Sequence, residues 1–365
     1  MQKVTHLQIF AMYSLYIFTV TLAFMMGLYI RKSHFSTPVS VVAGGLLSIL
    51  LIYPAYKVTS FRPDQSIIQY GGSIVGKVPH TIFIGIVAII NLLLASTNLR
   101  ELEDFLIQVY LPGTPSWVVA LLFGICVNYG VRSGITTIFR ASLGIFLIST
   151  LAFITVPFMV SQAIQIEMLP AFFNQLNLRD VGIGIYSSCS IFGEFAFLFL
   201  IMPYIKSPKK VYKTIAITAI SSIIIILSHL LPVLMILGPD LAANLTYPDL
   251  DLVRSLRIGS FVETLDPILI VLWLTSLFIK ISFMVFIAVY CISLLLKLPD
   301  HKSLALPFTS FSCILSLILV RSQVELNHLL IQGLPPLLLF TEFVIPTIYW
   351  IANSIKSRKN RTRNA

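Results

Sequence analysis

Three charged side chains lie inside long apolar segments of this sequence, Glu194, Lys280 and Glu342. A charge removed from water is costly, so such groups pair with one another, bind a ligand or line a path for ions. Each could instead form a structural ion pair, or its flexible side chain could reach the membrane surface and keep the charged group in water. The sequence favours a functional role for Glu194 and Lys280, whereas Glu342, flanked by prolines, fits either role.

The residues before Glu194 have an unusual composition for an apolar segment. Residues 182–194 read GIGIYSSCSIFGE, with three glycines, three serines and an acid. Glycine loosens a helix, and serine offers competing hydrogen bonds. Irregular backbone within a membrane is tolerated where it lines a cavity, and its free N–H and C=O groups can bind the charged ends of a substrate. Close packing of helices through small residues explains the same composition equally well.

Cysteine and histidine residues do not form a catalytic or metal-binding pattern. The four cysteines lie in apolar segments without a CxxC or Cys/His spacing, and the six histidines are scattered. Such residues are typical of core and interface positions. The sequence also contains no nucleotide-binding loop and no nucleophile–base pair. We therefore expect no enzymatic activity, no metal and no cofactor.

The composition indicates that most of the chain is surrounded by lipid. Hydrophobic residues make up 57% of the sequence and charged residues only 11%, against about 25% charged residues in soluble domains. The first apolar segment ends without a small-residue cleavage site, so we interpret it as a retained helix rather than a signal peptide. The sequence predicts one membrane domain over residues 1–365.

Apolar length between polar breaks predicts about ten transmembrane helices in an all-α fold. The third has the acidic segment 101–109 as a possible extension, and the fourth is short. The predicted spans are 7–30, 38–57, 78–99, 115–129, 139–160, 182–205, 212–237, 267–296, 304–320 and 334–355.

The distribution of basic residues predicts the orientation of the chain. Most Lys and Arg residues fall on one side if the N-terminus and C-terminus are both cytoplasmic, and most acids fall on the other. Lys and Arg are retained on the cytoplasmic side of membrane proteins. The net charge of +10 then reflects cytoplasmic loops and the basic tail 356–365, which suits anionic lipid headgroups. Nucleic acid binding is not expected.

Two stretches resemble a known family. The first runs from Phe192-Gly193-Glu194 through the Pro and basic turn that ends at residue 211. The second is the polar segment that leads into the eighth helix. Its matching residues are Tyr247, Pro248, Val253, Ile258, Phe261, Glu263, Asp266 and Trp273. The whole chain resembles the B subunit of GerA-type nutrient germinant receptors of bacterial endospores, which are spore germination permeases similar to the amino acid/polyamine/organocation transporters.

The resemblance implies a LeuT-like fold of two inverted five-helix repeats, about 7–160 and 182–355, with broken helices one and six crossing at a central site. It implies a receptor in the spore inner membrane, with A and C subunits as partners and a small nutrient, most simply an amino acid, as the ligand. The sequence departs from the family in helix one, where members often carry Gly-x-Gly followed by Pro-Arg. At the equivalent positions, 18–21, this sequence reads Phe-Thr-Val-Thr, with threonines in place of the glycines and no proline after them.

The resemblance also implies roles for particular residues. Lys280 would point at the bend of helix one and stand in for a sodium ion. The ligand-binding residues predicted in this way are Thr19 and Thr21 of helix one and Tyr186, Ser187, Ser188, Ser190, Gly193 and Glu194 of helix six.

Three other functions remain open at this point. A secondary transporter for amino acids would have the same break in helix six, and uptake of a labelled amino acid would favour it. The segment from Tyr247 to Trp273 favours the receptor subunit, because ordinary transporters of the superfamily lack it. A scaffold that assembles the receptor without binding a ligand, or an ion conduit opened on germination, would also fit.

Overall fold

The computed structural model describes residues 3–255 and 266–363, with side chains described for 3–255 and 270–357. Within these residues the chain is helical apart from one isolated bridge between Val4 and Ile205. The all-α class predicted from the sequence is confirmed.

Ten long helical segments, α1 to α10, cross the protein, and four of them contain a change of helix type or a kink. Their bounds are α1 (His6–Val20, Thr21–Met25 and Met26–Ser33), α2 (Thr37–Leu51 and Tyr53–Ser60), α3 (Lys77–Val109), α4 (Ser116–Ser133), α5 (Ile135–Val160), α6 (Leu178–Gly193 and Glu194–Tyr204), α7 (Val211–Ile236), α8 (Asp266–Leu295), α9 (Lys302–Ile318) and α10 (Gln323–His328, Leu329–Gly333, Leu334–Leu339, Phe340–Val344 and Ile345–Arg363).

The length and composition of these segments define a multi-pass membrane protein. Eight helical stretches are long and apolar enough to span a bilayer, and α9 is a shorter apolar helix. The longest stretch, His6–Ser60, has 55 residues and would be about 80 Å long as one helix, far more than the roughly 30 Å of a bilayer core. It reverses at His34, whose φ is 44°, so it supplies two passes, and the described part of the chain has ten.

The burial of the helices separates a centre from a periphery. The most apolar windows of α6 and α8 are 89% and 83% buried, whereas those of α4 and α5 are 33% and 28% buried. The central pair carries Glu194 and Lys280, so both charges lie in the core of the bundle. Lipid-facing positions on α4 and α5 are large and apolar, including Leu122, Ile125 and Leu151.

Helices α1 and α6 run antiparallel and are fastened at one end. The N–H of Val4 donates to the carbonyl of Tyr204 (2.7 Å), and the N–H of Lys206 donates to the carbonyl of Val4 (2.9 Å). The start of α1 is therefore fixed beside the end of α6, as expected for the first helices of two inverted repeats.

Helix α10 begins eleven residues earlier than the sequence suggested. The predicted span began at residue 334, but the helix begins at Gln323, where Ser322 caps it by accepting a hydrogen bond from the N–H of Glu325 (3.2 Å). The extended part then passes through a π-helical turn, Leu329–Gly333. For α3, the acidic extension is confirmed, because the helix runs unbroken to Val109.

Candidate ligand-binding site

Helices α1 and α6 each change their helix geometry within the bundle. Helix α1 contains a π-helical turn, Thr21–Met25, and Thr21 donates from its hydroxyl to the carbonyl of Ile17 (2.8 Å). Helix α6 changes from α-helix to 3₁₀-helix at Glu194, with a kink at Ile201 and a proline at position 203 that cannot donate to the helix. Single π turns are common at functional sites.

A buried ion pair lies at the break of α6. The Nζ atom of Lys280 is 3.3 Å from Oε2 of Glu194 and donates a long hydrogen bond of 3.5 Å to Oε1. Lys280 and Glu194 are only 2% and 3% exposed. The same Nζ lies 4.3 Å from the centroid of the Tyr16 ring of α1, within the range of a cation–π contact. Lys280 of α8 therefore joins α6 to α1.

A central cavity of about 40 Å³ lies between the two breaks. That volume has room for about three water molecules, so a small ligand could replace them. Its polar lining comes from four helices, α1, α3, α6 and α8, and α10 adds apolar residues. The lining residues are Val20, Met25, Leu28, Tyr29, Leu94, Thr97, Asn98, Glu101, Ser187, Ser190, Ile191, Glu194, Lys280, Leu330, Ile331, Leu334, Pro335 and Leu338.

Glu101 is a residue of this site that the sequence interpretation missed. It was placed in a polar extension of α3, yet it is 3% exposed, and neither of its carboxylate oxygens has a hydrogen-bond partner among the described residues. A helical spacing could have revealed it, because Leu94, Thr97, Asn98 and Glu101 stand at i, i+3, i+4 and i+7 and all line the cavity. The cavity thus has a buried carboxyl group without a hydrogen-bond partner among the described residues.

The serines of α6 lie in regular helix, since the change of geometry begins only at Glu194. Ser187 and Ser190 line the cavity, and their hydroxyls donate to the carbonyls of Ile183 (3.3 Å) and Ser187 (2.8 Å). The prediction of free backbone around the serines is therefore wrong, because serine side chains satisfy helix carbonyls without breaking the helix. Tyr29 also donates to the carbonyl of Ser187 (3.3 Å).

Small-residue packing accounts for the outer side of this stretch. The Cβ of Ser188 lies where a side chain on Gly44 of α2 would be, and Gly184 is packed in the same way against Ser40. Ser188 is 1% exposed and lies outside the central cavity, and Tyr186 is 40% exposed on the outer face. Small-residue packing therefore explains the outer face of α6, whereas Ser187 and Ser190 on the inner face line the cavity with their side chains rather than with freed backbone.

Helix α1 reaches the cavity through different residues from those predicted. Val20, Met25, Leu28 and Tyr29 line it. Thr19 is buried outside this lining, and its hydroxyl has no hydrogen-bond partner among the described residues, whereas Thr21 is bonded to its own helix. The π turn shifts the facing side of α1 toward the later residues.

The carboxyl group of Glu342 packs directly against Gly193. A Cβ added at position 193 would collide with Oε2 of Glu342 and lie 2.7 Å from the ring of Phe343. Glu342 is fully buried on a π-helical turn of α10, Phe340–Val344. The glycine predicted to bind ligand instead makes room for a second buried acid beside Glu194.

Replacing Gly193 with alanine is therefore expected to displace Glu342 and to lower the stability of the folded chain by about 1–3 kcal/mol, as overpacking does. Thermal unfolding of the purified chain in lipid nanodiscs measures this. Gly144→Ala is the matched control, because a Cβ at that helical position meets nothing within 4 Å, so alanine there should be neutral or slightly stabilising. Equal melting temperatures for Gly193→Ala and the wild type would contradict the assigned contact.

A second cavity adjoins the first on the side of the α7–α8 connection. It also measures about 40 Å³ and shares Leu28, Glu101 and Leu330 with the central cavity. Tyr247 lines it and packs on Phe105 with ring centroids 5.0 Å apart. We call it the Tyr247 cavity. Glu101 therefore stands between two polar spaces.

The second stretch that resembles the family begins at Tyr247 and ends at Trp273, and both of these residues lie near this cavity. The Trp273 ring lies 5.4 Å from that of Phe105, which also contacts Tyr247. Next to Tyr247, Asp249 accepts a hydrogen bond from His229 of α7 (2.9 Å), and both groups are fully buried. The short helix Pro248–Ser255 is thereby tied to the bundle. Ile258, Phe261 and Glu263 lie outside the described residues, as does the side chain of Asp266.

A third cavity, of about 50 Å³, lies along the other half of α6. Its lining is apolar except for Thr59, Thr341 and Tyr349. We call it the Tyr349 cavity. It shares no lining residue with the central cavity, so the segment around Glu194 and Glu342 separates the two spaces.

The fold defines the class of this protein. A structure of MhsT in complex with L-phenylalanine matches with a TM-score of 0.70 and 12% identity, over 95% of this chain and 94% of that one. A sodium-coupled sialic acid symporter matches with a TM-score of 0.66 and 13% identity, over 92% of this chain and 79% of that one. The chain has the LeuT-like fold of these transporters, with its inverted repeats and broken first and sixth helices, as predicted.

The family follows from the sequence comparisons. The family model described as "Spore germination protein" (spore permease) matches residues 3–328, and the chain belongs to this family. Spore germination protein YndE of Bacillus subtilis (strain 168) is 25% identical over 66% of each chain, slightly less than two thirds of its length. Spore germination protein KB of the same organism is 24% identical over 83% of this chain and 85% of that one.

Proposed function

We propose that this chain is the nutrient-binding subunit of a spore germinant receptor, and that a small amino acid binds in the central cavity. Membership of the family and the transporter fold support a permease-like germination protein. The receptor lies in the spore inner membrane with both termini in the cytoplasm, and it works with A and C subunits. Binding shifts a conformational equilibrium by as much as the ligand prefers one state over the other.

The observation that carries this proposal is the set of charges around the central cavity. Lys280 is paired with Glu194, whereas Glu101 faces the cavity without a partner. Water in the cavity can hydrate Glu101 in the empty state. An ammonium group would neutralise it with charge-assisted hydrogen bonds. A carboxylate on the same ligand would meet Lys280 in competition with Glu194, which favours an amino acid over a sugar.

The cavity volume limits the size of the ligand. About 40 Å³, the space of about three water molecules, is close to the size of the smallest amino acids only. The smallest amino acids therefore need little movement of the helices, and larger ones require the helices to part. Lys280 as a substitute for a sodium ion remains a prediction, and a strict sodium requirement of the response would contradict it.

A secondary transporter is the alternative that the fold itself favours, because the matched structures are transporters. The Tyr247 and Tyr349 cavities lie on either side of the central one, as a transport path requires. Uptake of labelled amino acids into vesicles that contain only this chain would establish transport. Nutrient-triggered germination without such uptake would support the receptor.

Filling the central cavity tests the proposal. Ser190 lines the cavity at 2% exposure, and Ser190→Leu adds a volume comparable to the whole space. Spores that carry Ser190→Leu at normal receptor level are expected to need at least about tenfold more nutrient, since loss of 1.4 kcal/mol of binding is tenfold. Tyr186→Leu, on the exposed face of the same helix, should leave the dose–response unchanged. An unchanged response for Ser190→Leu would favour a scaffold that binds no ligand.

A further inference from the structure

A second buried acid, Glu342, lies beside the Glu194–Lys280 pair and takes no part in the proposed ligand site. It is fully buried, and neither carboxyl oxygen has a hydrogen-bond partner among the described residues. Unlike Glu101, it lines neither the central cavity nor the Tyr349 cavity. Water in those spaces therefore does not reach it, and its surroundings are protein.

The groups around Glu342 do not supply a positive charge of its own. Oε2 faces the backbone of Gly193, next to Glu194, which already holds Lys280 within ion-pair distance. The residues of α2, α3 and the short helix between them that share the Tyr349 cavity with its neighbour Thr341 are uncharged, namely Ala55, Val58, Thr59, Ile67, Ile84 and Val87. Among the described residues, Glu194 and Lys280 interact with Glu342 electrostatically, and Cys189 of α6 and Tyr16 of α1 are further titratable groups that do so.

Three buried carboxyl groups, Glu101, Glu194 and Glu342, interact with the single ammonium group of Lys280, and Glu101 has the water of the central cavity beside it. Two carboxylates that share one site do not both ionise at low dielectric, since each disfavours the charge of the other. Glu194 is the acid in contact with Lys280, so Glu342 is left without a positively charged partner of its own. A neutral carboxyl can pack against a glycine backbone where a carboxylate would be desolvated without a partner.

We propose that Glu342 is a proton-binding site, occupied while Glu194 holds Lys280 and emptied when Lys280 loses that partner. The site lies on the π turn of α10 that packs on the break of α6. A change of pairing in the central cavity is thereby linked to a proton on α10. The proposal does not depend on which nutrient binds, or on whether one binds.

Infrared difference spectra of the full chain in lipid nanodiscs, without added ligand, test this proposal at neutral pH. The wild type minus Glu342→Gln is expected to show the carbonyl stretch of a protonated carboxylic acid. Glu325→Gln, at an exposed acid near the start of the same helix, should show carboxylate bands only. Carboxylate bands in place of the acid band for Glu342 would overturn the proposal.

A second pair of spectra tests the link to Lys280. In a background that carries both Glu101→Gln and Glu194→Gln, Glu342 is the acid among the described residues that remains to interact with Lys280, so its acid band should be replaced by carboxylate bands. An acid band that persists there would refute the link. If Glu342→Gln does not fold, Glu342→Asp serves instead, because it shifts the acid band without removing it, and a spectrum with no shift in that band would count against the assignment.

Discussion

Replacing Lys280 with methionine is expected to abolish the nutrient response and to destabilise the chain by roughly 3 to 5 kcal/mol, the usual effect of removing one partner from a buried ion pair. Lys280 is 2% exposed and holds Glu194 at 3.3 Å, so its loss leaves a buried carboxylate without a counter-charge. It also removes the contact with the Tyr16 ring that ties α8 to α1. Thermal unfolding in nanodiscs and germination of spores at matched receptor level measure the two effects.

The double variant Lys280→Met with Glu194→Gln is the informative control. It removes both charges, so most of the lost stability should return while the nutrient response stays absent. Recovery of stability without function separates the structural role of the pair from its role in ligand recognition. A Lys280→Met chain that melts like the wild type, or responds like it, would contradict the geometry described for this pair.

Replacing Glu101 with glutamine is expected to weaken the response to amino acids by about 10- to 150-fold, the equivalent of one hydrogen bond to a charged group, roughly 1.5 to 3 kcal/mol. Glutamine keeps the shape of the side chain but not the charge that would meet an ammonium group. Because Glu101 is unpartnered in the structure, the folded chain should lose little stability. The dose–response of variant spores to single amino acids provides the measurement.

Glu103, two residues further along α3, offers a matched control. It accepts a hydrogen bond from Ser316 of α9 (2.7 Å) and does not line the central cavity. Glu103→Gln preserves that hydrogen bond and should leave nutrient sensitivity unchanged. If both glutamine variants were equally impaired, the loss would reflect a general effect of acids on α3 rather than recognition of the ligand by Glu101.

The number of helices could be predicted from the sequence because the length of an apolar segment follows from bilayer thickness, whereas the LeuT-like fold was implied by the family resemblance. The break of α6 was predicted from glycines and serines, and it lies near them, but it begins at Glu194. Local composition does not distinguish serines that break a helix from serines that bond to their own helix carbonyls.

Other features had weaker signals or none. The π turn of α1 contains no proline or glycine, so composition did not locate it. The helical spacing of Leu94, Thr97, Asn98 and Glu101 was present in the sequence, but acids near the end of a helix look like a solvated extension. The contact between Glu342 and Gly193 joins residues far apart in the chain, and nothing local to either position predicts it.

Binding of amino acids by the purified chain in nanodiscs tests the central claim most directly. A ligand that binds the folded state raises its stability, by about 2.7 kcal/mol at a hundred times its dissociation constant, so the melting temperature is measured with each of a panel of small amino acids and with their 2-hydroxy acid analogues. We predict that at least one amino acid stabilises the wild type, that its hydroxy acid does not, and that Ser190→Leu abolishes the effect. Equal stabilisation of the wild type and Ser190→Leu, or no stabilisation by an amino acid that triggers germination through this chain, would contradict a ligand site in the central cavity.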